Sequence, residues 1–463
     1  MLNNWLLAMA QNAEAVRKAQ EELDYVVGSD RLPTWEDENN LLRLGGYFRW
    51  NLGILATNDT NIIHPVQSES CSHHGIRPFV PMSIPFVLIV GAGPSGLLLA
   101  LLLGKRGIPV RLLEAADSLD DRPRAAHYSP PAVYELRRAG IIEDMEAEGS
   151  FLPNGACWRK LNGEFLAAVS SPGAKDANQT PLTCLPLNKL NVVLQRQIDQ
   201  LPHVEILHSH KVTALSQDDT KAWVTVETPN GLQTLEAQYI VGCDGANSKI
   251  RRSLFGAREF PGFTWDKQIV ATNVYILSFE KYGFDWDSNF IIHPEHWYMA
   301  ARISNDGLWR VSYGEVAGLS FDELKARQPA KFKAFLPGSP DPGDYRVANF
   351  SPYKVHQRLA KKMRVGRFLL AADAAHLCNP FGGLGLSGGI VDVGGLYDCL
   401  AGIYTGQADD SILDIYCKDP ETALEESEFL KTCKKAETDD AVAASQRKGL
   451  EALQYDFTRH YRK

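Results

Sequence analysis

The sequence predicts an α/β fold in which a parallel sheet is combined with an inserted, mostly β segment. Three stretches predict it, because in each a short apolar strand runs into a glycine-rich or acidic turn: Phe86–Glu114, Tyr239–Arg252 and Gly366–Asp392. The intervening residues 258–345 are rich in aromatic side chains and read as further strands. A chain of 463 residues is long enough for two or three domains.

The first stretch has the pattern of a dinucleotide-binding unit. The strand Phe86–Val90 is followed by a GxGxxG turn, an apolar helix and a second strand that ends at Glu114. Gly91 permits the tight turn, Gly93 lets the backbone approach a pyrophosphate, and Gly96 lets the helix lie close to the strand. The carboxylate of Glu114 is placed to accept the hydroxyls of a ribose. We therefore predict a Rossmann-type unit.

A membrane span is the alternative for this stretch, because residues 86–103 carry no charge. Pro94 and Ser95 in its middle and the charged pair Lys105-Arg106 disfavour that interpretation. The immediate return to a second strand disfavours it as well. We expect no membrane span.

The composition of the chain disfavours several other classes of protein. The net charge of −8 gives no sign of nucleic-acid binding. The eight cysteines form no CxxC pair or Cys/His cluster, so we expect reduced thiols and no metal site. We find no secretory signal peptide and expect a cytoplasmic protein.

The other two stretches add acidic turns at strand ends. In the second, a strand ends at Gly242-Cys243-Asp244-Gly245, and Ser248 and Arg251 follow at fixed offsets. In the third, a strand leads to Asp373 and the glycine-rich segment 380–385 opens a helix. A glycine-rich helix start can direct N–H groups at an electron-rich ring.

Together the three stretches resemble the FAD-dependent aromatic hydroxylases of the p-hydroxybenzoate and phenol hydroxylase type (group A flavoprotein monooxygenases) over roughly residues 84–415. The resemblance implies a Rossmann-type FAD-binding domain with an inserted, mostly β substrate domain. The domains expected are an N-terminal extension (1–83), the first part of the FAD-binding domain (84–257), the substrate-binding insert (258–345), the second part of the FAD-binding domain (346–405) and a helical C-terminal tail (406–463).

The resemblance also implies which residues bind the cofactor. Gly91, Gly93, Gly96 and Glu114 would hold the ADP half of FAD. Along the rest of the cofactor, the implied residues are Arg124 (FAD and NADPH access), Asp244 (FAD and NADPH contacts), Asp373 (ribose or ribityl hydroxyls), and Pro380 and Gly383 (flavin ring).

Three positions depart from the family pattern. Ala372 replaces the usual Gly of a Gly-Asp pair, Ser387-Gly388 replace an Asn-Thr pair, and Leu187 stands near the place of a common Gln. We therefore expect the pyrimidine edge of the flavin to be held differently here.

The implied function is an NAD(P)H- and O2-dependent monooxygenase that hydroxylates a phenolic or polyketide-like substrate through a flavin hydroperoxide. We expect it to act in secondary metabolism. The candidate catalytic residues are Arg302, which could pair with a substrate carboxylate or phenolate, and Tyr298 and His296 as partners of a phenol. A Baeyer–Villiger or epoxidising flavin monooxygenase and an inactive chimeric flavoprotein are the alternatives.

The N-terminal extension carries a second resemblance. Residues 1–60, with the stretch KAQEELDYVVGSDRLPTWEDENNL, resemble a fragment of the haem-thiolate cytochrome monooxygenases. Gly46 stands where that family has the Glu of its Glu-x-x-Arg helix, and the Cys-bearing haem loop is absent from the sequence. A gene-fusion remnant and a genuine extension are the two interpretations, of which we favour the first. The oligomeric state stays open, with a homodimer as one alternative.

Overall fold

The structure is a computed structural model that describes residues 84–416, apart from residues 123, 172–179, 277 and 379–382. The predicted extension 1–83, with its resemblance to a haem protein, and the part of the predicted tail from residue 417 onward lie outside the described residues.

The described residues alternate between helices and strands. In chain order the strands are β1 (Val87–Val90), β2 (Val110–Leu113), β3 (His127–Tyr128), β4 (Gly155–Lys160), β5 (Phe165–Ser170), β6 (Thr183–Cys184), β7 (Val204–Leu207), β8 (Lys211–Gln217), β9 (Ala222–Thr228), β10 (Gly231–Ala237), β11 (Tyr239–Gly242), β12 (Gly262–Ile276), β13 (Ser288–Ile292), β14 (Tyr298–Arg302), β15 (Leu308–Glu315), β16 (Tyr345–Leu359), β17 (Arg364–Val365), β18 (Phe368–Leu370) and β19 (His376–Leu377). The helices are α1 (Pro94–Lys105), α2 (Pro130–Arg138), α3 (Ile142–Ala147), α4 (Leu187–Ile198), α5 (Lys249–Phe255), α6 (Ser278–Lys281), α7 (Phe321–Phe335), α8 (Leu384–Tyr404) and α9 (Ile412–Tyr416).

The predicted parallel sheet is present, with the strand order β17-β18-β11-β1-β2-β7. β1 pairs in parallel with β11 and β2, while β18 and β7 extend the parallel pairing on the two sides. Apolar side chains of α1, α4 and α8 cover one face, and the three-stranded sheet β8–β10 covers the other. Because both faces are buried, these strands are almost wholly apolar. The α/β fold class is confirmed.

The second large sheet has eight strands in the order β19-β16-β12-β15-β14-β13-β4-β5. One of its faces packs on α7 through a cluster of buried aromatic residues that includes Tyr298, Trp309 and Phe332. The sheet takes β4, β5, β19 and most of β16 from outside the predicted insert 258–345. The inserted layer is therefore built from separate parts of the chain.

Helix α8 is the one helix in the described part of the chain that is long and apolar enough to cross a membrane. Its residues Ile390, Val393, Leu396 and Leu400 are fully buried against the rest of the fold. This burial is typical of a core helix, and α8 packs on α1 in the layer next to the parallel sheet.

Candidate functional site

The topology brings the predicted residues of all three stretches to one edge of the parallel sheet. Gly91 follows β1, Glu114 follows β2, Asp244 lies just after β11 and Asp373 lies just after β18. These four strands are neighbours and run in parallel, so their carboxyl ends lie side by side. Ligands of such sheets bind at this edge.

The glycines of the first turn have distinct steric roles. Gly91 has a φ of +106°, and a Cβ atom there would lie 2.5 Å from the carbonyl oxygen of Cys243. A Cβ atom on Gly96 would lie 2.0 Å from the carbonyl oxygen of Gly91. A Cβ atom on Gly93 would meet nothing within 4 Å. The fold thus requires Gly91 and Gly96, whereas Gly93 keeps open the space before the first turn of α1.

Glu114 fastens the end of β2 to the glycine-rich turn. Its Oε2 accepts a hydrogen bond from the backbone N–H of Ala92 at 2.8 Å, and its Oε1 accepts one from Ala116 at 2.9 Å. Each carboxylate oxygen has a second lone pair, so both can accept further hydrogen bonds from ribose hydroxyls.

Asp244 caps helix α5. Its Oδ2 accepts from the backbone N–H groups of Lys249 at 2.6 Å and Ile250 at 3.1 Å. Its Oδ1 is buried without a hydrogen-bond partner, and burial raises the pKa of the carboxyl group. The capping role accounts for the acidic turn, while the predicted contact with FAD and NADPH stays a prediction.

The offsets of Ser248 and Arg251 also have a structural explanation. Ser248 Oγ accepts from the N–H of Arg251 at 2.9 Å, as an N-cap does. The Arg251 guanidinium donates to the carbonyl oxygens of Ala374 at 2.9 Å and Ala246 at 2.7 Å. This arginine therefore joins the turn after β11 to the turn after β18.

Asp373 lies on a 3-10 turn, Ala372–Ala374, at the sheet edge. Its side chain is exposed, yet burial by surrounding protein raises its pKa, against the opposing charges of His376 and Arg124. Its exposure at the sheet edge leaves the carboxylate accessible to a bound group. Arg124 is half-exposed and also lies 2.9 Å from Asp120.

A buried ion pair holds this turn in place. Asp392 of α8 is fully buried, and its Oδ2 lies 2.6 Å from Nε2 of His376 and accepts from the N–H of Ala372 at 2.9 Å. Burial by itself lowers the pKa of His376, but the charge and the hydrogen bond of Asp392 raise it overall. Ala372 has a φ of +56°, where glycine is favoured, which explains why the family has Gly at this position.

The structure describes most, but not all, of the remaining residues that were predicted to lie near the flavin ring. Gly383 has a φ of +63° and precedes α8, whereas Pro380 lies outside the described residues. Ser387 is buried, and its Oγ accepts from the N–H of Ser129 at 3.0 Å. Leu187 packs against the apolar core. Ser387 and Leu187, two positions at which the sequence departs from the family pattern, therefore make contacts within the fold.

The three catalytic candidates lie in or just before β14, where each contacts a different group. The Nε of Arg302 lies 2.7 Å from Oδ1 of Asp287, and the guanidinium stacks on Phe151. Tyr298 is buried on the α7 side of the sheet, stacked on Phe335. His296 stacks on His293 in the turn before β14. The fold uses Arg302 and Tyr298 in its own packing, and a catalytic role for the three residues stays a prediction.

The opposite face of the inserted sheet carries polar groups that the sequence reasoning missed. Along β15, Trp309, Val311 and Tyr313 pack toward α7, so Arg310 and its alternate neighbours face the other way. Nε of Arg310 donates to Oδ1 of Asn273 at 3.1 Å. The alternation of LWRVSYG was the available signal, because an arginine interrupts an otherwise buried strand.

Two segments of the FAD-binding part approach this face. His127 is the cross-strand partner of Cys184, whose Sγ lies 3.6 Å from the carbonyl oxygen of Ile303 beside Leu308. Burial and the charge of Arg310 lower the pKa of His127 to about 4, so its imidazole is neutral at pH 7. These contacts place β3 and β6 beside the inserted sheet, and β19, which follows Asp373 in the chain, pairs with β16 of the same sheet.

Comparison with known proteins gives a consistent result. Residues 86–426 match the family described as FAD binding domain. The chain is 41% identical over 336 residues to para-nitrophenol 4-monooxygenase of Pseudomonas sp. (strain WBC-3), covering 72% of this chain and 82% of that protein. It is 35% identical over 331 residues to 6-hydroxy-3-succinoylpyridine 3-monooxygenase HspB of Pseudomonas putida (strain DSM 28022 / S16), covering 71% and 82%.

Solved structures agree with these relatives. The crystal structure of p-nitrophenol 4-monooxygenase PnpA from Pseudomonas putida DLL-E4 matches with a TM-score of 0.73 and 35% identity, covering 82% of this chain and 99% of that one. Aklavinone-11 hydroxylase, solved with FAD and aklavinone, matches with a TM-score of 0.64 at 23% identity, covering 74% of this chain and 66% of that one. The second likeness shows the fold alone.

Proposed function

Because this chain belongs to the FAD-binding-domain family and is an FAD-dependent aromatic monooxygenase, we propose that its substrate is a small aromatic ring bearing a hydroxyl group. NAD(P)H is the reductant typical of this family. The single observation that carries the proposal is the match to para-nitrophenol 4-monooxygenase, which is 41% identical over 336 residues and covers 72% of this chain.

The residues present fit FAD. We propose that the open space at Gly93 takes the pyrophosphate and that Glu114 takes the adenosine ribose, since both lie at the sheet edge. Asp373 in the cleft wall would accept hydroxyls of the ribityl chain, and Gly383 at the start of α8 would lie near the ring. Arg124, whose positive charge opposes the rise in the pKa of Asp373, would lie along the bound FAD.

When bound, FAD supplies the passage of electrons from NAD(P)H to O2 and the transfer of one oxygen atom. The chain's own residues position the substrate and exclude water from the reacting region. We propose that the inserted sheet contributes the face that carries Arg310, Asn273 and Tyr353, which are neighbours across the strands β15, β12 and β16.

The names of the relatives narrow the substrate class. Para-nitrophenol and 6-hydroxy-3-succinoylpyridine both carry a ring hydroxyl, and both names place the new oxygen on the ring carbon para to it. We propose the same regiochemistry here, because an oxygen electrophile attacks the electron-rich carbons ortho and para to a phenolic oxygen. Action in secondary metabolism stays a prediction.

The test is turnover with a panel of monocyclic phenols. We expect substrate-dependent NAD(P)H oxidation and O2 uptake, with an oxygenated aromatic product in matching amount. Oxidation of ketones or alkenes without phenol oxygenation would favour the Baeyer–Villiger or epoxidising alternative. NAD(P)H oxidation that yields only reduced oxygen species with every phenol would contradict the proposed substrate class.

The inactive-chimera alternative concerns the extension 1–83. A chain beginning at Met82 that binds FAD as tightly as the full chain would support the fusion interpretation. Loss of FAD binding on truncation would show that the extension is a functional part of the protein.

We also propose that the protein is cytoplasmic and acts without nucleic acid, and we keep a homodimer as one outcome for its assembly. Support comes from the burial of α8 in the core and from the acidic net charge of −8. Cell fractionation tests the location, a gel-shift assay tests for binding of nucleic acid, and light scattering of the purified protein tests the assembly.

A further inference from the structure

A row of apolar side chains crosses one face of the inserted sheet. The strand register places Trp158 of β4 beside Phe290 of β13, and Phe290 beside Met299 of β14. The rings of Trp158 and Phe290 are stacked, with 5.6 Å between their centroids and 15° between their planes. The next residues along the strands, Ile291 and Tyr298, are buried in the cluster against α7. Because side chains alternate along a strand, the row lies on the face away from α7.

Two more apolar residues adjoin this row. A Cβ atom on Gly314 would lie 2.6 Å from the indole ring of Trp297, so the ring lies over the backbone of β15. Since Tyr313 points toward α7, the ring lies on the same face as the row. Ile292 follows Phe290 by two residues on β13 and is 49% exposed. We define the apolar panel as Trp158, Phe290, Ile292, Trp297 and Met299.

The apolar panel offers an uncharged surface that is accessible to a ligand. Trp158, Phe290, Trp297 and Met299 are each partly exposed, and none of the five residues carries a charge. The charged neighbour Lys160, which lies across from Ile292, is paired with Glu164 at 2.8 Å. Contiguous exposed apolar surface marks a site at which an apolar group binds.

The panel continues into the polar part of the same face. Met299 is the cross-strand neighbour of Ser312 on β15, and Ser312 is the neighbour of Ala271 on β12. Ser312 and Ala271 follow and precede Arg310 and Asn273, respectively, by two residues, which keeps all four on one face. Neighbouring strands lie about 4.8 Å apart, so the row spans about 10 Å from β15 to β13 and about 14 Å to β4.

The FAD-binding part contacts the inserted sheet at two other places. The Sγ of Cys184 lies 3.6 Å from the carbonyl oxygen of Ile303, just after β14. Strand β19, which follows Asp373, pairs with β16, and β16 lies on the opposite side of β15 from β4. Neither contact involves a residue of the panel. A ring held beside the central strands β15, β12 and β16 would therefore have the panel to one side of it.

We propose that the apolar panel binds an apolar substituent of the substrate. The preferred substrate is then a phenol that carries an alkyl or aryl group long enough to reach β13 from β15, about 10 Å. The continuity of the row with the polar face assigns this occupant, because a group on the panel and a ring beside Ser312 can belong to one molecule. This inference rests on the proposed function, namely that the substrate is a ring-hydroxylated aromatic.

The experiment measures how affinity depends on the length of the substituent. The FAD-loaded full chain is titrated with phenol and with 3-alkylphenols from 3-methylphenol to 3-pentylphenol, without NAD(P)H, and the flavin absorbance reports binding. Each methylene that the panel buries should lower the Kd by up to about fourfold, so we expect 3-pentylphenol to bind at least about tenfold more tightly than 3-methylphenol. The ether 3-(2-methoxyethoxy)phenol, which has a polar chain of equal length, should not gain this affinity.

Variants of the panel test whether these residues cause the gain. In Phe290→Ser and in Trp158→Ser we expect the advantage of 3-pentylphenol over 3-methylphenol to fall below about threefold, because less apolar surface is buried. Phe165→Ser is the matched control. Phe165 of β5 is 53% exposed on the same sheet, but its ring lies under the guanidinium of Arg159, which also contacts Phe284 on the α7 side. This variant should keep the wild-type advantage, and FAD retention in each variant shows that the fold persists.

The outcomes separate this inference from the proposed function. If the wild-type protein oxygenates phenols but binds the alkyl and ether compounds alike, or if the panel variants keep the full advantage, the inference fails and the proposed function stands. If the panel variants change a dimer into a monomer in light scattering while the advantage persists, the panel is an interface between copies of this chain and the inference is overturned. If no phenol binds or is oxygenated, the proposed substrate class fails, and this inference fails with it.

Discussion

The buried pair of His376 and Asp392 leads to a quantitative prediction for Asp392→Asn. Asp392 is fully buried, and one of its oxygens contacts both the imidazole of His376 and the N–H of Ala372. The amide of Asn can still accept from Ala372 but gives up the charge that stabilises the imidazolium. Removing one member of a buried ion pair costs about 3 to 5 kcal/mol, and we adopt about 3 kcal/mol because one hydrogen bond survives.

The assays are thermal unfolding and FAD binding. The unfolding entropy is about 2.1 cal/mol/K per residue, or about 1 kcal/mol/K for 463 residues, so a loss of about 3 kcal/mol corresponds to a fall in Tm of about 3 °C. Since Ala372 and His376 flank Asp373, we also expect the variant to bind FAD about tenfold more weakly, a change of about 1.4 kcal/mol.

Asp398→Asn provides the matched control. Asp398 lies on the same helix α8 but is exposed and pairs with Arg138 at the surface. Surface ion pairs contribute about 0 to 1 kcal/mol, so Tm and FAD affinity should change little. If Asp392→Asn unfolds within about 1 °C of the wild type and binds FAD equally well, the buried pair does not hold the turn and the reasoning is refuted.

Three further predictions follow from the contacts described above. Gly96→Ala should prevent stable folding of the turn, because its Cβ would lie 2.0 Å from a backbone oxygen, whereas Gly93→Ala should fold but bind FAD more weakly. Circular dichroism measures the folding of each variant, and flavin titration measures its affinity for FAD. Equal folding and equal FAD affinity in the two variants would contradict the steric argument. Tyr298→Phe should retain turnover, since its ring packs toward α7; a large fall in kcat with intact FAD would restore Tyr298 as a catalytic residue. The pKa of His376 is raised in the folded state, so the stability gained from its protonation is complete below about pH 6.5 and is lost as the pH rises through the folded pKa. In urea unfolding across pH, the free energy of unfolding of the wild type should therefore exceed that of Asp392→Asn by less and less as the pH rises. A difference in unfolding free energy that is independent of pH would count against the ion pair.

Much of the nucleotide edge could be predicted from the sequence because its signals are local. The GxGxxG turn, the flanking strands and the carboxylate of Glu114 lie within one continuous stretch, and steric constraints alone assign Gly91 and Gly96. The resemblance to FAD-dependent aromatic hydroxylases is confirmed by the family match and the relatives. The fold class and the FAD dependence follow from the same signals.

The substrate side could not be predicted in the same way, because the face to which a strand residue points depends on register. β12 pairs irregularly with β16 near Thr264 and again at Asn273, which interrupts a simple alternation along the strand. On β15 the buried residues also belong to both faces, because Leu308 and Ser312 are buried opposite the α7 side, so burial does not mark one side. Arg302 and Tyr298 were therefore chosen for chemical type, while Arg310 on the neighbouring strand was missed.

Asp244 shows a different limit of predicting the role of a residue from its sequence motif. The sequence motif identified the correct turn, but a carboxylate at a strand end can either bind a ligand or cap the following helix. Only the hydrogen bonds to Lys249 and Ile250 distinguish these roles for one of its two oxygens.

The central claim is that this chain is a monooxygenase of ring-hydroxylated aromatics, and one measurement tests it most directly. The purified protein is loaded with FAD, supplied with NAD(P)H and 4-nitrophenol under isotopically labelled O2, and the ring product and the released nitrite are analysed. We expect one labelled oxygen atom in the ring product for each O2 consumed in coupled turnover. Oxygen placed on the carbon that carries the nitro group releases nitrite and forms benzoquinone with one NAD(P)H, and reduction of the quinone to hydroquinone consumes a second NAD(P)H. NAD(P)H consumption with unlabelled aromatic compounds across the whole phenol panel would contradict the claim.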